Sequence, residues 1–293
     1  MTTGFAVVGG GAVTVDRLVF VDAPFGDGKG RVIGQETRFG GNVATAMVAA
    51  ARAGTTCAFI GHLPDETTGG GVLGNLRSEG VDVAHARISP DTPPIRSVII
   101  VGPDGRRFIA YDDRTTMGLP DDVDLGLVRS ARVLILDEYG LPGGIRAAEA
   151  ARAAGVAVVA DIERAGGQRI ADLIDLTDHL IVPLTTATSL TGADDPVAAA
   201  SGLWRPDRAA VVVTDGANGC WYRTRDGHAG VRHRPAEPVT VVDTTGCGDV
   251  FHGSYAAALA QGEPIDICVA RASAAAAECA THPGGIGPRE TTH

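Results

Sequence analysis

Lysine is almost missing from this chain of 293 residues. Of its 25 basic residues only Lys29 is a lysine, which leaves 24 arginines. Acidic residues number 35, so the net charge is −10. That balance excludes a protein that works by covering nucleic-acid phosphates with cations. Aromatic residues are scarce as well, at 4 %, too few for the stacking platforms of a single-strand binder. The five cysteines (Cys57, Cys220, Cys247, Cys268 and Cys279) are odd in number and show no C-x-x-C spacing. This pattern speaks against a zinc site or a disulfide framework and for reduced thiols. Residues Met1 to Phe5 include no basic residue, and no apolar run approaches the ~18 residues of a membrane span. The expectation is a cytoplasmic protein with neither a nucleic-acid nor a membrane partner.

What the chain does have is glycine and aliphatic residues. Glycine occurs 40 times, about twice its usual ~7 % share. Hydrophobic residues make up 44 %, enough for one large α/β domain or two small ones. Short runs rich in Val and Ile read as buried strands: Phe5–Val8, Cys57–Ile60, Val133–Leu136, Val156–Ala160, Leu180–Val182 and Ala210–Val213. Ala-rich stretches between them, such as Gly41–Arg52, Thr67–Glu79, Ile145–Ala154 and Asp249–Gln261, read as helices. Strand and helix in alternation predict a mostly parallel sheet with helices on both faces. Two regions break the rhythm. Residues 14–39 and 92–113 read as antiparallel β structure, the second around a turn at Pro103, Asp104 and Gly105. The division expected is therefore an α/β core from 1–13, 40–91 and 114–293, with a β lid from 14–39 and 92–113.

Standard nucleotide signatures are not met. After the first strand come Gly9, Gly10 and Gly11, but a G-x-G-x-x-G run from Gly9 needs glycine where Thr14 stands. A P-loop needs G-K-[ST], and Gly28-Lys29 is followed by Gly30. The strongest segment runs from Val241 to Gly253. It reads as a strand, then Thr244-Thr245-Gly246-Cys247-Gly248, then a long helix. Glycines at 246 and 248 let backbone N–H groups converge at the positive end of a helix dipole, which makes an anion hole. Charge on a transferring phosphoryl group suits such a hole. Asp249 stands at the same turn, either accepting a proton from a substrate hydroxyl or capping the helix.

These residues resemble a known family. Asp-Thr-Thr-Gly-Cys-Gly-Asp-Val-Phe, residues 243–251, is similar to the D-T-x-G-A-G-D-x-F signature of the ribokinase (phosphofructokinase-B, PfkB) carbohydrate kinases, with Cys247 in place of the usual alanine. Gly40-Gly41-Asn42 and the small-residue helix ending in Arg52-Ala53-Gly54 resemble the family's other signature. Gly11 to Asp16, with Pro24 downstream, resembles its opening. The likeness spans nearly the whole chain, and the Asp249-Val250-Phe251-His252-Gly253 stretch looks most like the sulfofructose-kinase and ketohexokinase branch.

The resemblance implies a ribokinase-like three-layer α/β/α core with a small β-sheet lid, and an ATP-dependent kinase acting on a small sugar. By the same resemblance, Asp249 is the general base, and Gly246, Cys247 and Gly248 form the anion hole. Asp16, Gly40, Gly41, Asn42 and Glu138 contact the sugar. Thr214, Gly216, Gly219 and Gly284 line the nucleotide site. Asp243 and Thr245 match positions that bind a monovalent cation, K⁺, in some members. Apart from the resemblance, Lys29 is a candidate substrate contact as the one lysine in the lid region, the alternative being a plain surface lysine. ATP with Mg²⁺ is the implied cofactor set, and a homodimer through the lid the implied assembly. Two departures stand out. The N-x-x-E motif that organises magnesium is replaced, its Asn position being Leu184 and its Glu position Ala187. The sulfonate-holding arginine of the sulfofructose branch is replaced by Tyr139, which favours a neutral pentose, hexose or related polyol. A nucleoside kinase of the same family is the alternative. From other classes come a nucleotide-binding protein that is not a kinase and an NAD-dependent oxidoreductase, the latter disfavoured by the broken glycine fingerprint.

Overall fold

The computed structural model describes residues 4–23, 29–103, 107–225 and 230–282. Its centre is a nine-stranded sheet. From one edge the strands run Arg232–Arg234, Cys220–Thr224, Ala210–Thr214, His179–Pro183, Ala157–Asp161, Val133–Asp137, Val7–Gly10, Cys57–Phe59 and Val81–Asp82. All pairings from Ala210–Thr214 to Val81–Asp82 are parallel, and the two remaining edge pairings are antiparallel. The central strands are apolar except at their ends, because both faces are covered. One face packs against helices Asn42–Arg52, Cys247–Ala260 and Ile265–Cys279. The other packs against Leu141–Ala153, Gln168–Asp175, Leu184–Thr191 and Pro196–Gly202. The core is thus a three-layer α/β/α sandwich.

A separate four-stranded sheet is ordered Val32–Gly40, Thr14–Val21, Ile95–Val101, Arg107–Asp112. Its middle pair is parallel and its outer pairs antiparallel. The Asp104 and Gly105 of the expected hairpin turn lie outside the described residues.

Helices Asn42–Arg52 and Cys247–Ala260 both open at a glycine in the left-handed region, Gly41 at φ 102 and Gly246 at φ 75. No other residue fits Gly41 comfortably, since a Cβ there would sit 2.3 Å from the Ala12 carbonyl oxygen. The same two helices cross backbone to backbone: a Cβ on Gly253 would lie 2.0 Å from the Ala46 carbonyl oxygen.

Local chemistry moves two helix boundaries. Where a helix is expected over Thr67–Glu79, it forms only over Val72–Ser78. Asp65 Oδ1 accepts hydrogen bonds from the backbone N–H of Thr67 and Thr68, at 3.1 and 2.8 Å. Gly70 and Gly71 then take positive φ. This turn competes successfully with helix formation. The helix expected from Ile145 starts instead at Leu141, with proline in its first turn, where the missing N–H costs nothing.

The Gly9-Gly10-Gly11 run turns out to be a packing device. A Cβ would meet Met47 Sδ at 3.0 Å from Gly9, Gly61 backbone at 2.9 Å from Gly10, and Asp137 Oδ2 at 2.1 Å from Gly11. Glycine at 11 lets the buried Asp137 reach the Ala12 N–H at 2.7 Å.

Candidate active site

A cavity of about 330 Å³ opens where the small sheet meets the starts of the two glycine-capped helices. Its lining includes Asp16, Gly40, Gly41, Asp243, Thr245, Gly246 and Asp249. Asp16 points there because Thr14, Asp16 and Leu18 alternate onto one face of their strand. Gly40 pairs with Thr14 across the sheet, and a Cβ at 40 would press on Thr14 Oγ1 at 2.8 Å. Asp16, Ser97 and Tyr111 form one cross-strand row, so Tyr111, which no motif marks, shares the face that carries Asp16.

Asp249 lies half-buried in the first turn of the Cys247–Ala260 helix. Asp161 is the neighbouring charge that acts on it most strongly. Burial, followed by the charges of Asp161 and Glu163, raises the Asp249 pKa well above the usual carboxylate range. Asp161 is 3 % exposed and closes the Ala157–Asp161 strand. Its Oδ2 is 3.5 Å from His252 Nδ1. His252 is itself buried, with Nδ1 2.8 Å from the Gly248 carbonyl and Nε2 3.1 Å from the Ile181 carbonyl. The imidazole therefore ties the glycine turn to the strand ends below it.

Glu138 follows the Val133–Asp137 strand and is buried. Its Oε2 accepts from the Glu163 N–H at 3.2 Å, and its Oε1 lies 3.4 Å from Arg164 Nε. Burial raises its pKa, with Asp161 adding to the effect. Glu163 is exposed, yet desolvation of its carboxyl and the charge of Asp161 raise its pKa as well. Asn42, at the first position of its helix, opposes that rise, and its buried Nδ2 has no hydrogen-bond partner. Arg164 lies over the Tyr139 ring, 5.3 Å from its centroid, and donates to the Tyr139 hydroxyl.

Asp161 and Glu163 belong to no motif recognised in the sequence. The signal that marks them is position: acids at the carboxyl ends of parallel strands, where open α/β sheets form their ligand crevice.

The glycine turn shows two different demands. Gly246 is required by its φ. A Cβ on Gly248 would meet nothing within 4 Å, and its φ is ordinary. The folded chain itself does not need glycine at 248. Cys247 is half-buried in the turn, its Sγ 3.4 Å from Cys279 Sγ. Asp243 Oδ1 accepts from the Thr245 N–H at 3.0 Å and hydroxyl at 2.7 Å, and its Oδ2 lies 3.5 Å from Arg38 of the small sheet.

The remaining residues fall elsewhere. Thr214 ends its strand, and Gly216 and Gly219 frame the short turn that follows, at φ 49 and 86. That strand lies two places along the sheet from Ala157–Asp161, a separation of about 10 Å. A side chain on Gly219 would collide with the Arg234 carbonyl oxygen at 2.1 Å, whereas Gly216 faces open space. Lys29 is exposed and does not line the cavity. Gly284 lies outside the described residues. Leu184 and Ala187 sit in the Leu184–Thr191 helix, Ala187 fully buried. Thr186 of the same helix donates to the Glu163 carbonyl at 2.5 Å, which brings that helix against the acidic pair.

A carboxylate and a glycine turn at one helix N-terminus, set on a parallel α/β sheet beneath a second β sheet, are an arrangement chemically able to serve phosphoryl transfer. Comparison with known proteins agrees. Residues 6–292 match the model for the pfkB family carbohydrate kinase. Fructokinase-1 of Zea mays is 30 % identical over 236 residues, which cover 73 % of this chain and 72 % of that protein. The bifunctional ribokinase/ribose-5-phosphate isomerase A of Fructilactobacillus sanfranciscensis is 27 % identical over 261 residues, 85 % of this chain and 47 % of that protein. The structure of Arabidopsis thaliana ribokinase complexed with ribose and ATP shares the fold. Its TM-score is 0.81 over 97 % of this chain and 95 % of that one, at 24 % identity. The chain belongs to the pfkB family of carbohydrate kinases, with the ribokinase fold, and is an ATP-dependent sugar kinase.

Proposed function

We propose that this kinase phosphorylates a neutral pentose, hexose or related polyol held beneath the small sheet, with Asp249 as the general base. The observation that carries the reading is the meeting of Asp16, Gly41, Gly246 and Asp249 around one cavity. Asp16, Asn42 and Glu138 accept and donate the sugar hydroxyl hydrogen bonds. Asp249, ionised, takes the proton of the attacking hydroxyl. The N–H groups of the 246–248 turn hold the phosphoryl oxygens, and the open space above Gly248 is where those oxygens approach. The many carboxylates of the cleft disfavour a sugar that carries an anionic group. The small sheet acts as a lid that excludes water when it closes.

The turn after Thr214, with Gly216, Gly219 and Gly284, takes the nucleotide. For magnesium the donor set fits: Glu138 Oε1 and Asp161 Oδ2 are enclosed without hydrogen-bond partners, and hard oxygen ligands suit the ion. Among the described residues no group of three His, Cys, Asp or Glu side chains is arranged to grip a bare metal ion. Asp161 and Glu163 would therefore hold the waters of Mg²⁺ carried in by the nucleotide, in place of the lost N-x-x-E pair. Bound there, the ion neutralises charge on the phosphates. A potassium ion at Asp243 and Thr245 would share the Asp243 carboxylate with Arg38.

Assembly as a homodimer through the lid finds support in the exposed Val98 and Phe108 of the small sheet, 44 % and 58 % accessible. No helix among the described residues is long and apolar enough to cross a membrane. Five free thiols suit the cytoplasm.

The test is ADP release across fructose, ribose, other neutral sugars, and adenosine or inosine. A neutral sugar should give the highest kcat/KM. A nucleoside outpacing every sugar would overturn the substrate assignment.

A further inference from the structure

Two thiols meet at the phosphoryl site, and the transfer chemistry has no use for them. Cys247 opens the Cys247–Ala260 helix inside the glycine turn. Cys279 closes the Ile265–Cys279 helix. Their sulfurs are 3.4 Å apart. The segments that carry them are fastened together, since the N–H groups of Val242 and Asp243 both donate to the Ala280 carbonyl, at 2.8 and 3.2 Å. Cys247 is half-buried, while Cys279 is 5 % exposed.

We infer that Cys247 and Cys279 are a peroxide-responsive pair whose disulfide switches the kinase off. Cys247 is the attacking thiol and Cys279 the resolving one. A thiolate at the first position of a helix is stabilised by the dipole. The other cysteines lack this activation. Burial pushes Cys57 and Cys268 up to about 12 and Cys220 up to about 11.

The chemistry balances with a hydroperoxide as oxidant. The Cys247 thiolate attacks the peroxide, the O–O bond breaks, and one oxygen stays on sulfur as a sulfenic acid while the other leaves as water or alcohol. The Cys279 sulfur, giving up its proton, then attacks Cys247. The S–O bond breaks, hydroxide takes that proton and leaves as water, and the S–S bond forms. In total, two thiols lose two hydrogens and the peroxide is reduced.

Inhibition follows from the geometry. A disulfide needs sulfurs about 2.05 Å apart, so 3.4 Å must shrink by about 1.4 Å. Cys247 lies in the turn whose N–H groups face the phosphoryl, and a misplacement of about 1 Å in a catalytic group costs about a hundredfold. The inactivation rests on the anion-hole reading; formation of the cross-link does not.

The experiment treats the full chain with hydrogen peroxide, maps the cysteines by peptide mass spectrometry, and follows ADP release before and after dithiothreitol. We expect a peptide joining residues 247 and 279, two hydrogens lighter, with activity down by about tenfold or more and restored by the reductant. Cys279→Ala should lose activity under the same peroxide and not recover, because its Cys247 goes on to the sulfinic acid. Cys247 remaining reduced while other thiols oxidise would overturn the pair. So would a Cys279→Ala enzyme that recovers as fully as the parent. A cross-linked enzyme with full activity would overturn the switch. Because the cross-link is read by mass, its failure is distinguishable from a failure of the sugar-kinase assignment.

Discussion

The contact between Asp249 and Asp161 makes a demand that pH can read. A base works only when deprotonated, and the pKa of Asp249 is raised by burial first and by the Asp161 charge next. Activity must therefore fall on the acid side through a value above the ordinary carboxylate range. Two unit charges about 4 Å apart at an effective dielectric of about 20 repel by about 4 kcal/mol. Asp161→Asn removes that repulsion with little change in side-chain shape. The Asp249 pKa should then drop, and the acid limb of kcat/KM should move to lower pH. The weaker base should also turn over somewhat more slowly on the plateau. Asp249→Asn removes the base altogether and should cost about 10²–10⁴ in kcat, about 3–5 kcal/mol at 1.36 kcal/mol per decade. The assay is steady-state ADP release between acid and neutral pH at saturating ATP, with thermal melts to show that both variants fold. Turnover of Asp249→Asn within tenfold of the parent would refute the base. An acid limb unmoved in Asp161→Asn would refute the coupling.

Gly248→Ala should fold normally, because the added methyl meets no neighbour, yet lose about tenfold or more in kcat by crowding the phosphoryl approach. Near-parental turnover would show that nothing binds there. Gly11→Ala should destabilise the protein by about 1–3 kcal/mol or more, since its methyl must expel Asp137 from the Ala12 N–H. A thermal melt unchanged by the substitution would contradict the packing role assigned to the glycine run.

Both successes and failures of sequence reading here have physical causes. Val133–Asp137, Ala157–Asp161 and Ala210–Thr214 were visible because a parallel strand covered on both faces is a near-continuous apolar run, broken here only at the last residue. The 246–248 turn was visible because residues 243–251 resemble a family signature; a glycine pair before a helix is otherwise common, as at Gly70-Gly71 and Gly166-Gly167. Gly9-Gly10-Gly11 could not be sorted from a ligand loop, since glycine is demanded equally by a phosphate and by a neighbouring carboxylate. Asp161 and Glu163 were invisible for another reason. They are remote from Asp249 in sequence, and only the order of strands in the sheet brings them beneath it. The short Val72–Ser78 helix shows the limit of composition, because Asp65 captures two N–H groups that a longer helix would have used.

Gly253 has a consequence for how such an enzyme can diversify. Where it crosses Ala46, two backbones touch, and the helices in contact there are the ones whose starts carry Asn42 and Asp249. On the proposed roles of Asn42 and Asp249, the crossing would work as a caliper that sets the gap between acceptor and donor ends whichever sugar is present. New substrates are then reached by rewriting the four-stranded sheet, through positions such as Tyr111 and Ser97, while the jaw spacing stays constant. An insertion in either helix before the crossing would reset that spacing for every substrate at once.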